Sequence, residues 1–115
     1  MHFAFEEFGD IRDGVRAVCA DFPDEYHRKV DHDRAYPEAF VDALTKAGWM
    51  AALIPEEYGG SGLSLTAASV IMEEINRAGG NSGACHGQMY NMNTLIRHGS
   101  EEQRQTYLPK IASGE

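Results

Sequence analysis

This sequence of 115 residues has few cysteines and no long apolar run, and both features limit the classes of protein to which it can belong. It has only two cysteines, Cys19 and Cys85, far apart in the chain; this is not a disulfide framework and indicates a reducing compartment. It also has no apolar run near the roughly 20 residues that span a bilayer. The N-terminus, MHFAFEEFGD, lacks the basic flank and apolar centre of a signal peptide. The sequence therefore predicts a cytoplasmic protein with no membrane partner.

Positive charge is scarce as well. Ten Lys and Arg residues stand against 18 Asp and Glu residues, for a formal net charge of −8. This balance disfavours a nucleic-acid backbone or an anionic membrane surface as partner. Apolar residues make up 43% and charged residues 24% of the chain, which is ordinary for a globular protein. The length predicts one domain with a modest core.

Helical periodicity dominates the first half of the chain. It predicts a helix over about Glu7–Phe22, ended by Pro23, and a second helix from Pro37 to Gly48. The charged segment Asp24–Tyr36 either extends the first helix or forms an exposed loop. The apolar positions that repeat at helical spacing are Phe8, Ile11, Val15, Val18, Cys19 and Phe22, then Phe40, Val41, Leu44 and Ala47.

Three more helices are predicted in the second half. Ser64 or Thr66 caps the third, which Gly79 ends, and Asn81 or Ser82 caps the fourth. Their apolar faces are Leu65, Ala68, Ile71, Met72 and Ile75, then Met89, Met92, Leu95 and Ile96.

The fifth helix has the clearest start signal. Ser100 and Gln103 form a capping box, so the helix begins at Glu101, and Pro109 is expected to kink or break it near its end. The predicted buried positions are Tyr107, Leu108 and Ile111. Five helices with short loops and no hairpin signal predict an all-α, five-helix bundle.

The glycine-rich segment LIPEEYGGSGLSL, residues 53–65, lies between the second and third helices. It lacks the spacing of a dinucleotide-binding fingerprint, and no Gly-Lys-Ser/Thr follows as in a P-loop. The glycines favour a tight connector with close backbone approach, and direct phosphate binding is the less favoured alternative. The preceding run, Trp49–Ile54, predicts a short buried connector.

One face of the fourth helix is unusually small and polar. Ser82, His86 and Tyr90 recur every four residues, with Gly83 and Gly87 beside them, so all five are predicted on one side. Either a close helix–helix contact or a ligand-lining wall explains this pattern, and periodicity alone leaves both open.

For the remaining candidate metal-binding and catalytic residues, the sequence favours structural roles. The cluster of His27, Asp31, His32 and Asp33 also carries three cations, which predicts a solvated charged segment and no metal site. Glu56-Glu57 and the pair Glu73-Glu74 are predicted to be surface charges. Cys85 is expected in the core. His86 has no obvious triad partner, so the sequence predicts no catalytic residue.

Several short segments, taken in order and spacing, resemble the N-terminal helical domain of the acyl-CoA dehydrogenases. The resemblance covers nearly the whole chain, so residues 1–115 are expected to form that domain. The matching segments are AGW at 47–49, IPEEYGGSGL at 54–63, EEI at 73–75, HGSEEQ at 98–103, YLPKI at 107–111 and SGE at 113–115.

The resemblance implies an FAD-dependent oxidoreductase that dehydrogenates an acyl-CoA thioester between Cα and Cβ. A carboxylate base removes the α-proton while a hydride passes to the flavin, and an electron-transfer flavoprotein accepts the electrons. Many members are homotetramers built from this helical domain, a middle β-domain and a C-terminal helical domain. The β-domain would begin after Glu115, so the base and most FAD contacts are expected outside this chain, which alone should be inactive.

The helix that matches Ser82–Ile96 lines the acyl pocket in that family. The resemblance therefore implies that Ser82, Gly83, His86, Gly87 and Tyr90 contact the substrate. Two bulky, polar-tipped side chains among them predict a short, branched or polar acyl group. Flavin-dependent monooxygenases and nitroalkane-oxidising relatives share the scaffold, and a non-catalytic helical binding module is a further alternative.

Overall fold

The computed structural model describes residues 8–115, and every regular element in that range is helical. The α-helices are α1 Gly9–Cys19, α2 Asp24–His32, α3 Glu38–Lys46, α4 Leu65–Arg77, α5 Gly83–His98 and α6 Glu101–Ser113. Two 3₁₀ turns, Trp49–Ala51 and Glu56–Tyr58, lie between α3 and α4. The all-α prediction is confirmed for the described residues. Glu7, the predicted start of the first helix, lies outside them.

The described residues contain six α-helices where the sequence predicts five. The charged segment after Pro23 forms a helix of its own, α2. Pro23 has extended backbone angles, φ −69° and ψ 170°, so it interrupts the chain between α1 and α2. The carbonyl of Pro23 then accepts the N–H of Tyr26 at 2.9 Å and starts the next helix. Neither simple alternative, an extended first helix or an exposed loop, describes this segment.

Local side-chain chemistry marks the starts of α4, α5 and α6, where the sequence predicts caps. Ser64 Oγ accepts from the N–H of Ala67 at 3.1 Å, and both bonds of the capping box between Ser100 and Gln103 form, at 2.9 and 3.1 Å. At α5, Asn81 Oδ1 accepts from the N–H of Gly83 at 2.9 Å. Each bond satisfies a backbone donor that the first helical turn leaves unpaired.

The sequence predicts that Pro109 kinks or breaks the last helix, and it does not break it. Helix α6 continues through Pro109 to Ser113. The proline removes the donor for the carbonyl of Gln105, but both residues are exposed, so water can satisfy that carbonyl.

The core lies where α1, α3, α4, α5 and α6 meet. Its largest fully buried side chains are Val15, Phe40, Leu44, Met50, Ile54, Ile71, Ile75, Cys85, Met92 and Leu108, together with one carboxylate, Glu74. Cys85 is buried, as predicted. Leu65 and Tyr107 were expected to be buried, but they are 61% and 52% exposed, and Ala47 is exposed as well. Leu65 and Ala47 lie at helix ends, and Tyr107 lies in the middle of α6; helical periodicity gives each a direction but does not tell whether another element covers it.

The glycine-rich connector folds back on the chain that precedes it. The N–H of Gly62 donates to the carbonyl of Ile54 at 2.9 Å, and the N–H of Leu63 donates to Ala52 at 2.8 Å. Gly60 passes so close to Ile54 that a Cβ would lie 2.6 Å from its carbonyl carbon. Tyr58 donates to Glu101 Oε1 at 2.7 Å and ties the connector to α6. The segment is a tight connector, as predicted.

A buried ionic cluster joins α1 to α4. Arg12 Nη1 lies 2.6 Å from Glu74 Oε1, and Arg16 Nε lies 2.8 Å from Glu74 Oε2. The Glu74 side chain is 1% exposed, so the prediction that Glu73-Glu74 is a surface pair is wrong for Glu74. Periodicity could not reveal this burial, because it depends on the arginines that α1 brings to the same place.

The charged segment of α2 forms local contacts. Lys29 and Asp33 make an exposed ion pair at 3.0 Å, and the half-buried His27 ring packs edge-on against Phe40 at 5.1 Å. Within residues 8–115, no group of three His, Cys, Asp or Glu side chains is placed to hold a metal ion. In the same range, no helix has the length and apolar character needed to cross a membrane.

Candidate functional site

A groove of about 660 Å³ lies between α4 and α5. The two helices are joined by the short connection of residues 78–82. Helix α4 packs more extensively on α1 than on α5, so the space between α4 and α5 stays open. The α4 wall contains Leu65, Ala68, Ser69, Met72, Glu73 and Asn76. The opposite wall contains Ser82, Gly83, His86, Met89, Tyr90 and Asn93, with Leu53 of the connector nearby.

Four of the five residues predicted from the polar face line this groove. They are Ser82, Gly83, His86 and Tyr90. Gly87 does not line it, and a Cβ there would meet no atom within 4 Å. Because each residue advances about 100° around a helix, Gly87 lies beside His86, outside the rim. The face of α5 that lines the groove is therefore narrower than the face predicted from the sequence.

His86 and Tyr90 form the rim on the α5 side. Their rings pack edge to face, with centroids 5.2 Å apart and an interplanar angle of 63°. Tyr90 is 56% exposed and His86 is also exposed. The two rings hold each other in place at the edge of the groove, in a favourable aromatic geometry.

The groove changes character along its length. Asn76 and Ser82 flank the connection between the helices, so the groove is polar at that end. Leu65 and Tyr90 lie toward the other end, and the buried Met89 and half-buried Met72 supply apolar surface between the two. The described lining residues include one carboxylate, Glu73, and no lysine or arginine. This lining suits an uncharged, largely apolar group with a polar neighbour.

Sequence reasoning missed the α4 half of this site. Ser69, Glu73 and Asn76 are spaced at four and three residues, so they repeat on one helical face. That spacing, with the short connection to α5, was the available signal. It was overlooked because Glu73 was assigned to a surface pair and not to a face.

The structure gives Cys85 no nucleophilic role. It is fully buried, and burial together with the nearby Cys19 raises the pKa of its thiol to about 11. A thiol with so little thiolate at neutral pH is a poor nucleophile.

The chain belongs to the acyl-CoA dehydrogenase family. A sequence model of the "Acyl-CoA dehydrogenase, N-terminal domain" matches residues 6–115. This agrees with the resemblance and with the all-helical structure.

Curated relatives carry the same family name. Mitochondrial isovaleryl-CoA dehydrogenase of Solanum tuberosum is 34% identical over 94% of this chain and 28% of its own length. The enzyme of the same name from Oryza sativa subsp. japonica is 51% identical over 53% of this chain and 15% of its own length. Mitochondrial short-chain specific acyl-CoA dehydrogenase of Sus scrofa is 30% identical over the whole chain and 30% of its own length.

This chain therefore spans less than a third of the length of these relatives. All three are named as mitochondrial, so the cytoplasmic expectation stays a prediction.

The groove between α4 and α5 does not fit FAD as its main binding site. The pyrophosphate of FAD needs cations or convergent backbone N–H groups, whereas the groove carries the Glu73 carboxylate and no lysine or arginine. At the start of α5, the Asn81 side chain already accepts the N–H of Gly83. The FAD that the family resemblance implies would need residues outside this groove for its main contacts.

Proposed function

We propose that residues 1–115 form the N-terminal domain of an FAD-dependent acyl-CoA dehydrogenase, and that the groove between α4 and α5 forms one wall of its acyl pocket. The observation that carries this proposal is the placement of Ser82, Gly83, His86 and Tyr90 on a single open groove. The family resemblance assigns substrate contact to the same helix. FAD, an electron-transfer flavoprotein as acceptor and a homo-oligomeric assembly belong to the proposal through the family alone.

The role of this domain is to bind and orient the acyl group. Ala68, Met72 and Met89 present apolar surface to acyl methylenes, each of which contributes about 0.8 kcal/mol when buried. Covering the acyl group on this side also keeps water from the reacting carbons. The groups that remove the α-proton and accept the β-hydride belong to parts of the protein outside this chain.

The preferred substrate is a short or branched acyl-CoA. The paired rings of His86 and Tyr90 line the groove, and two bulky side chains there favour a compact acyl group over a long straight chain. Relatives named for isovaleryl-CoA and for short-chain acyl-CoA support this preference.

The test is turnover of an acyl-CoA series by the complete protein that carries this chain. Butanoyl, isovaleryl, octanoyl and hexadecanoyl esters are assayed anaerobically with an artificial electron acceptor, and then with oxygen alone. We expect 2-enoyl-CoA products without oxygen and highest kcat/KM for the butanoyl or isovaleryl ester. Oxygen-dependent hydroxylation, or a reading frame that ends at Glu115, would overturn the proposal that the protein is a dehydrogenase. A hexadecanoyl optimum would overturn the proposed chain-length preference.

A further inference from the structure

Glu73 stands out within the groove, because it is the carboxylate among the described lining residues. Its side chain is 56% exposed, and Oε1 accepts a hydrogen bond from Arg12 Nη1 at 2.8 Å. Arg12 lies on α1 with 4% of its side chain exposed. Glu73 is therefore held from behind by a cation that a ligand in the groove cannot reach.

The arginines behind the groove are engaged by a second carboxylate. Glu74 accepts from Arg12 Nη1 at 2.6 Å and from Arg16 Nε at 2.8 Å. Charge-assisted bonds of this length in a buried setting fix their partners. Glu74 stays inside, whereas Glu73 brings its negative charge to the groove surface.

We propose, building on the acyl-pocket role, that Glu73 is a specificity-determining residue: it makes the groove select neutral acyl groups and reject acyl groups that end in a carboxylate. A terminal carboxylate in this groove would approach a like charge. It would find no lysine or arginine among the described lining residues to compensate for lost hydration. A neutral chain of equal length meets neither penalty.

The experiment compares pentanoyl-CoA with glutaryl-CoA, since both have a five-carbon acyl backbone and differ in the terminal charge. In the complete protein, we expect kcat/KM for pentanoyl-CoA to exceed that for glutaryl-CoA by about 100-fold or more, as like-charge juxtaposition in an interface predicts. Glu73→Gln should reduce this preference by about tenfold or more, through a rise in kcat/KM for glutaryl-CoA. Glu73→Asp should retain the preference.

Glu56→Gln is the matched control. Glu56 is an exposed glutamate in the connector and does not line the groove, so the variant removes the same charge elsewhere. We expect it to leave the preference unchanged. The preference in unmodified protein should also fall when NaCl is raised from about 0.05 to about 0.5 M, because salt screens a partly exposed charge. That measurement does not depend on any variant folding.

The possible results separate this inference from the proposed function. If the complete protein turns over neither ester and binds neither by calorimetry, the acyl-pocket role fails, and the inference fails with it. If pentanoyl-CoA is a substrate and glutaryl-CoA is equally good, only the inference is overturned. A preference that is the same in Glu73→Gln and insensitive to salt would also overturn it.

Discussion

The Arg12 guanidinium and the Glu74 carboxylate meet at 2.6 Å between α1 and α4, with 4% and 1% of their side chains exposed. Arg16 holds the other oxygen of the same carboxylate at 2.8 Å. Desolvating each ion costs several kcal/mol, which good geometry and further hydrogen bonds must offset. The cluster therefore favours one relative placement of α1 and α4, and α4 in turn forms a wall of the groove.

Removing the Glu74 charge should destabilise the fold strongly. Glu74→Gln leaves the buried guanidinium of Arg12 without its closest anionic partner, and breaking a buried pair in this way costs about 3–5 kcal/mol. Urea unfolding followed by circular dichroism measures the change. Glu57→Gln, at an exposed position, is the control and should alter the free energy of unfolding by less than about 0.5 kcal/mol. An equal small effect of both substitutions would contradict the buried role.

The same carboxylate should make stability depend on acid pH. Hydrogen bonding to Arg16 above all, and to Arg12, holds the pKa of Glu74 below its usual value of 4.5. A group whose pKa is lower when folded contributes stability above its unfolded pKa and loses it as pH falls through the folded pKa. We expect this contribution to be constant above about pH 4.5 and to decline below it.

Comparing variants isolates that contribution. The difference in unfolding free energy between unmodified protein and Glu74→Gln should shrink as pH falls below about 4.5. The Tyr58 hydroxyl likewise lowers the pKa of Glu101, but that effect is shared by both proteins and cancels. A difference that stays constant down to pH 3 would show that the Glu74 charge is not the cause.

Two glycines should respond in opposite ways to alanine. Gly60 abuts the backbone of Ile54, with a built Cβ only 2.6 Å from its carbonyl carbon, so Gly60→Ala should cost about 1–3 kcal/mol through overpacking. Gly87 lies inside α5 with no atom near a built Cβ, so Gly87→Ala should stabilise by about 0.5–1 kcal/mol. Thermal unfolding of both variants checks this contrast, and destabilisation by both would refute it.

Shortening Tyr90 should widen the groove. In Tyr90→Ala, we expect the ratio of kcat/KM for octanoyl-CoA to that for isovaleryl-CoA to rise about tenfold, the scale of one or two methylene contacts. Tyr107→Ala removes another exposed tyrosine that does not line the groove, and it should leave the ratio unchanged. An unchanged ratio in Tyr90→Ala would place the acyl-length limit elsewhere in the protein.

Part of the candidate site could be predicted from the spacing of residues in the sequence. Ser82, His86 and Tyr90 repeat every four residues, and that periodicity alone predicted that they share a face, as the structure confirms. Gly87 lies at the edge of that side and does not line the groove, because a helical pattern does not define where a groove ends. Glu73 repeats with Ser69 and Asn76 on one helical face, but only the placement of α4 beside α5 makes that face a wall of the groove.

The sequence by itself determined the helical class and most helix ends. Caps such as Ser64 and the Ser100–Gln103 box act over three residues, so their chemistry is readable without knowing the fold. Only the tertiary structure decided that Glu74 is buried and that Leu65 is exposed. Burial depends on which distant elements cover a position, and here the deciding partners of Glu74 lie about sixty positions away in the chain.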